Sequence, residues 1–164
     1  MITRLVSGVP GRGLLAPGLF GLALAVPAAA AAELPRDPDA LVATIQQAIE
    51  KRDYGRFEEL VYWKDAGKIK RRIVAFQIRR GLGRPILSIT FEDFPENGLD
   101  GALATGKLVP NMKMTNRVRV VYDEAPIDST GKLPTSVFLV GKIGDVYRIG
   151  LVVRKPGKDD DDDD

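Results

Sequence analysis

The sequence predicts an α+β domain in which three N-terminal helices pack on one face of a curved, mostly antiparallel sheet of about four strands. Two patterns carry this expectation. From Asp37 to Phe76 apolar residues recur three and four apart, the period of a helix with one buried face, whereas from Leu87 onward they alternate singly, as in a half-buried strand. A third observation bounds the class: the 164 residues are 45% hydrophobic and 28% charged and contain no cysteine, so stability must come from a packed core without disulfides.

The first 32 residues are a different kind of sequence. Arg4 and Arg12 precede an apolar run from Leu14 to Val26 that closes in Pro27 and five alanines, the order of a secretory signal peptide cut after Ala30 or Ala32. The competing reading, a retained membrane anchor, is weakened by Pro17, Gly18 and Gly21. Residues 33–158 then form a single α+β domain, and Asp159 to Asp164 form an acidic tail whose mutual repulsion keeps it from folding. Such a chain is expected in a bacterial periplasm or secreted. Without Arg4, Arg12 and the six terminal carboxylates, 22 basic and 16 acidic residues remain, a net charge of +6 on the folded part against +2 for the whole chain.

Asp37-Pro38-Asp39 is a helix start, with Asp37 as cap and Pro38 suited to the first helical position. Leu41, Ile45, Ala48 and Ile49 form the buried face of this first helix, which ends near Arg52. Asp53 caps a short second helix carrying Tyr54, Phe57, Leu60 and Val61. Asp65 is placed to cap a third, with Ile69, Ile73 and Phe76 as its apolar stripe and a stop at Gly81 and Gly83. After Pro85, Leu87, Ile89 and Phe91 alternate with Ser88, Thr90 and Glu92. Residues 99–111 are ambiguous, with a short strand from Ala104 to Val109 stopped by Pro110. Val118, Val120 and Tyr122 then alternate with Arg117, Arg119 and Asp123.

A polar loop from Asp123 to Pro134 leads to the hairpin from Ser136 to Lys155, turning at Gly144-Asp145, where glycine accepts a positive φ without a Cβ clash. That turn sets Phe138 opposite Leu151 and Val140 opposite Ile149, with Tyr147 and Val153 on the same side. Val137, Leu139, Arg148, Gly150, Val152 and Arg154 fall on the other.

Histidine is absent as well as cysteine, which excludes Ser-His-Asp and Cys-His nucleophiles, His/Cys zinc sites and an imidazole base. Asp123, Glu124 and Asp128 do not follow an EF-hand loop, and Gly81-Leu82-Gly83-Arg84 lacks the spacing of a phosphate loop. No cofactor, no metal and no nucleic-acid partner are expected. The remaining acid-base candidates are Glu58-Glu59, Glu92-Asp93, Asp123-Glu124 and the tyrosines Tyr54, Tyr62 and Tyr122, any of which would need desolvation to act.

The three-helix, four-strand order, the Asp53-Tyr54-x-x-Phe57 start of the second helix and the closing run Gly144 to Ile149 resemble the nuclear transport factor-like or SnoaL-like superfamily, the cystatin-like α+β cone. The resemblance covers roughly Asp37 to Val153. It implies a pocket between helices and concave sheet, frequent homodimers through the outer sheet face, and functions from cofactor-free isomerases to non-enzymatic adaptors.

On this reading Tyr54, Phe57, Tyr62, Trp63 and Tyr122 form a ligand pocket, or else plain core. Lys68, Arg71, Arg72 and Arg79 mark a basic helix that faces either water or an anionic membrane or glycan surface. The function expected first is an exported, non-enzymatic module binding a small molecule or an envelope protein. Its alternatives are an isomerase with a pocket carboxylate or tyrosine as base, and an envelope-surface factor using the basic helix.

Overall fold

The computed structural model describes residues 33–155, so the expected signal peptide and the aspartate tail lie outside the described residues. The described residues form an α+β fold of four helices, α1 (Pro38–Glu50), α2 (Tyr54–Leu60), α3 (Lys68–Gly81) and α4 (Asp100–Leu103), and six strands, β1 (Ile86–Asp93), β2 (Leu108–Pro110), β3 (Asn116–Tyr122), β4 (Thr135–Ile143), β5 (Val146–Ile149) and β6 (Val152–Arg154). An antiparallel sheet runs in the order β1-β3-β4-β5, and β2 pairs with β6 in a separate two-stranded sheet.

The first two helices start where the capping residues predict. Asp37 Oδ1 accepts from the Ala40 amide at 2.7 Å and Asp53 Oδ1 from the Arg56 amide at 2.9 Å, each satisfying a donor that the first turn leaves without a helical partner. The α1 face reads as expected, with Leu41, Ile45, Ala48 and Ile49 all buried. One continuous core joins these to Phe57 and Leu60 of α2, Val74 and Ile78 of α3, Val118, Val120 and Tyr122 of β3, Val140 of β4 and Ile149 of β5.

The third helix departs from the sequence reading twice. Its N-cap is Gly67, which has no side chain to cap with, while Asp65 sits two residues earlier at φ +58°. Its buried residues are Val74 and Ile78, whereas the longer stripe expected to face inward is exposed: Ile69 by 69%, Ile73 by 48% and Phe76 by 60%. Both sets have helical spacing, and periodicity groups residues on a face without saying which face turns inward.

The sheet differs in three places. A bulge between Ile86 and Ser88 takes Leu87 out of register, so Ile86 packs against the core and Leu87 is exposed. The ambiguous stretch holds the short α4 and a strand of only three residues that includes Pro110. Finally, the hairpin turns at Gly144, φ +63°, with Ile143 opposite Val146 and Val140 opposite Ile149, but the expected Phe138–Leu151 pair does not form. The last contact is the Gly150 amide donating to the Leu139 carbonyl at 2.9 Å; the chain then leaves β4, and its continuation as β6 pairs with β2.

A close crossing accompanies this parting. The segment from Asn111 to Thr115 runs over the sheet face opposite Val140 and Ile149, where the two residues beneath it are glycines. A Cβ at Gly141 would overlap the Lys113 carbonyl oxygen, and one at Gly150 would press into Met112 and Met114. Gly141→Ala is therefore expected to destabilise the fold by about 1–3 kcal/mol, the usual cost of forcing atoms into filled space, measured as a shift in urea midpoint at unchanged m-value.

On the same face Glu92 accepts from Arg117 Nε at 2.6 Å and Arg119 Nε at 2.9 Å. Its pKa falls from 4.5 to about 2, chiefly through the Arg119 hydrogen bond and then that from Thr90, with a lesser contribution from Arg117, against an opposing effect of desolvation. A carboxylate whose pKa is depressed on folding contributes stability above its unfolded pKa and loses it as the folded pKa is approached. Glu92→Gln should thus be less stable than the parent above pH 4.5, with the gap closing toward pH 2; urea melts at stepped pH read this directly.

Candidate functional site

Where β6 leaves β4, an open cleft of about 480 Å³ lies between α3 and the strands. Its apolar lining comes from Phe57 and Val61 at the α2 end, Val74 and Ile78 on α3, Phe138 and Leu139 on β4, and the departing run from Ile149 to Val152. Phe57 and Phe138 meet edge to face, with ring centroids 5.1 Å apart. Polar groups are few: Gln77, Ser136, and the cations Lys70, Arg80 and Arg84. Among the described residues no carboxylate lines the cleft.

The parting also exposes backbone. Because Leu139 turns its carbonyl toward Gly150, the antiparallel alternation turns the N–H and C=O of Val137 to the same edge, which no strand covers beyond Gly150. Ser136 adds a donor. Its hydroxyl oxygen accepts from the Tyr122 hydroxyl at 3.1 Å, so its own proton remains for a ligand. Arg84 stacks its guanidinium 3.8 Å from the centroid of the Tyr122 ring and donates twice to Glu124, at 2.7 and 2.6 Å. That pairing raises the pKa of Arg84 and lowers that of Glu124, and it offsets the charge of Arg84 locally. Lys70 and Arg80 have no carboxylate partner among the described residues, so their charge is uncompensated at the cleft mouth.

Of the five aromatic residues singled out in the sequence, Phe57 alone lines the cleft. Tyr54 donates its hydroxyl to Glu58 at 2.9 Å beneath the Arg79 guanidinium, 4.2 Å from its ring centroid. Burial, then the hydrogen bond to Glu58, raise its pKa, the wrong direction for a base. Trp63 donates Nε1 to the Glu58 carbonyl at 3.3 Å and carries Arg71 over its ring. Tyr62 borders β5 through its amide, which donates to the Ile149 carbonyl at 2.8 Å. Tyr122 is buried behind Ser136.

Five of the six candidate carboxylates are engaged elsewhere, Glu58 with Tyr54, Glu59 with Arg56, Glu92 with two arginines, Asp93 with Asn116 and Glu124 with Arg84, and the sixth, Asp123, is exposed outside the cleft. Among the described residues no group of acidic side chains is placed to hold a metal ion. The basic residues Lys68, Arg71, Arg72 and Arg79 are all exposed on α3, although Arg71 folds back to donate to the carbonyls of Ala66 and Trp63.

Sequence reasoning missed the residue that holds the cleft's base together. Asn111 Nδ2 donates to the carbonyls of Tyr62 at 2.6 Å and Lys64 at 3.0 Å, while its Oδ1 accepts from the Leu151 amide at 2.8 Å. Arg148 adds a second fastening, donating Nη2 to the Val61 carbonyl at 3.0 Å, and burial pulls its pKa below the usual arginine value. An asparagine before a short loop carries no pattern that announces three partners up to 49 positions away.

No family model matches the chain, and comparison with curated proteins and with solved structures finds no match. The clamp itself is testable. In Asn111→Asp a carboxylate faces the carbonyls of Tyr62 and Lys64 and can donate to neither, so a loss of about 1–3 kcal/mol is expected, the combined worth of two hydrogen bonds, one part-buried and one exposed, read by urea denaturation at neutral pH.

Proposed function

We propose that this protein is an exported, non-enzymatic binding module that takes an anionic amphiphile, an apolar chain with a negative head, in the cleft beside α3. The observation that carries this reading is the composition of the cleft: apolar walls from α2, α3 and β4, two uncompensated cations at the mouth, and no carboxylate among the described residues lining it. Apolar walls with a few converging polar groups are what orient a small ligand. Here the converging groups are the Gln77 amide, the Ser136 hydroxyl and the cations Lys70 and Arg80, unpaired among the described residues, a set that favours an anionic head, while Arg84 is already paired with Glu124.

Export rests on the sequence, through the signal-like leader cut after Ala30 or Ala32. We read the finer architecture as three helices over the concave face of a curved sheet, the cone of the nuclear transport factor-like superfamily, supported by the helices-then-antiparallel-strands order and by the single core shared between them. An isomerase reading would need a base in the cleft, and the carboxylates and Tyr54 are engaged outside it.

Oleate and oleyl alcohol, equal in chain and different in head, test the proposal by calorimetric titration of the mature protein. Oleate is expected to bind at least about tenfold more tightly than the alcohol, on the order of one desolvated charge-assisted contact. Gln77→Trp, which fills the cleft from an exposed helix position, should abolish oleate binding without lowering the melting temperature. Equal binding of alcohol and acid, or binding that survives Gln77→Trp, would overturn the reading.

A further inference from the structure

Helix α3 has two apolar faces, and its core contacts use only one. By the 3.6-residue turn, Val74 and Ile78 lie on the inner side, while Ile69, Ile73 and Phe76 line up on the opposite side with Arg80 at their end. Six basic and no acidic residues lie on these 14 positions. Lys68, Arg72 and Arg79 fall along one margin of the exposed stripe and Lys70 along the other. The Arg80 guanidinium approaches the Phe76 ring, 5.8 Å from its centroid. Neither Lys70, Arg72 nor Arg80 has a carboxylate partner among the described residues.

We infer that this outer face is a docking surface for an anionic phospholipid bilayer, on which α3 lies in the plane of the head groups. The inference stands on the apolar stripe of Ile69, Ile73 and Phe76, none of which lines the cleft, although Lys70 and Arg80 border both. Charge complementarity selects the occupant. A second copy of the chain, stripe against stripe, would bring two helices of six cations together with no carboxylate on either. Acidic glycans and duplex nucleic acid present anions with no apolar layer beneath them deep enough for Ile69, Ile73 and Phe76. The aspartates 159–164 have the same deficiency. An anionic bilayer supplies both at the right depths, head groups for the arginines and lysines and acyl chains for the isoleucines and phenylalanine.

The geometry suits a rigid contact. Fourteen residues give a helix about 21 Å long, already folded because Val74 and Ile78 fasten it to the core, so docking orders no new backbone. The long stems of Arg72, Arg79 and Lys68 can lie along the apolar boundary with their charges directed to the phosphates. Among the described residues no helix is long and apolar enough to cross a membrane, and this attachment needs none.

The test is co-sedimentation of the mature full-length chain with phosphatidylcholine vesicles, with and without phosphatidylglycerol. Partition is expected to rise at least about tenfold with the anionic lipid, the equivalent of one to two near-surface cations. Ile73→Ser combined with Phe76→Ser keeps every charge and, at two exposed positions, should keep the melting temperature, yet lose on the order of tenfold in partition. Arg72→Gln with Arg79→Gln, two exposed cations outside the cleft, should lose a similar factor and bind with a flatter salt dependence. Indifference to phosphatidylglycerol would overturn the inference, as would a folded serine variant that partitions like the parent. Retention on heparin without vesicle binding would assign the cations to a glycan and overturn it equally.

Discussion

The structure turns on one close crossing, that of residues 111–115 over the outer face of β4 and β5. Two strands at normal spacing leave no room for a third segment lying directly on their backbone unless the side chains beneath it are missing, and Gly141 and Gly150 remove them there. Once the segment is down, Asn111 reaches the Leu151 backbone through both its amide and its side chain, and the chain after Gly150 follows β2 instead of β4. The same asparagine holds Tyr62 and Lys64, so the end of α2, the edge of β5 and the start of β6 share one fastening. Loss of those contacts would let the hairpin run straight, and a straight hairpin has no cleft.

The cleft is thus a consequence of strand departure more than of any residue chosen to line it. Part of its wall would be ordinary core if β5 continued along β4, because Phe138 and Leu151 are the residues a longer hairpin would set against one another. Parting them leaves apolar side chains and the free backbone edge at Val137 facing the same space. An open sheet edge ordinarily invites another strand. Here α3 lies beside it and presents Lys70 and Arg80, so the edge is guarded by charge as well as by bulk.

How much of this was legible in the sequence depended on how far each decision reached along the chain. The caps at Asp37 and Asp53, the α1 face, the turn at Gly144 and the alternation of Val118, Val120 and Tyr122 against Arg117 and Arg119 are all local, and each was readable. Leu87 misled because a single bulge reverses the parity that alternation relies on. The exit at Gly150 was invisible because its cause is Asn111, 40 positions before the Leu151 it holds. The cleft, assembled from α2, α3, β4 and β5, was invisible for the same reason, and of the aromatics read as its wall Phe57 alone reaches it.

Helix α3 shows where amphipathicity stops being informative. The longest apolar stripe in a helix is usually the buried one, since burying it returns the most free energy. In α3 the shorter pair, Val74 and Ile78, is buried, and the stripe of three larger residues is left in water among cations. Turning the helix about its axis would bury Ile69, Ile73 and Phe76, but it would also carry Arg72 and Lys70, at their margins, toward a core with no carboxylate to receive them. Burying an unpaired charge costs more than one or two apolar side chains return. The basic residues therefore decide which face looks outward. The apolar stripe is exposed because it shares its side of the helix with charges that cannot be buried, and that same sharing makes the outer face complementary in chemistry to a surface that is anionic and apolar at once.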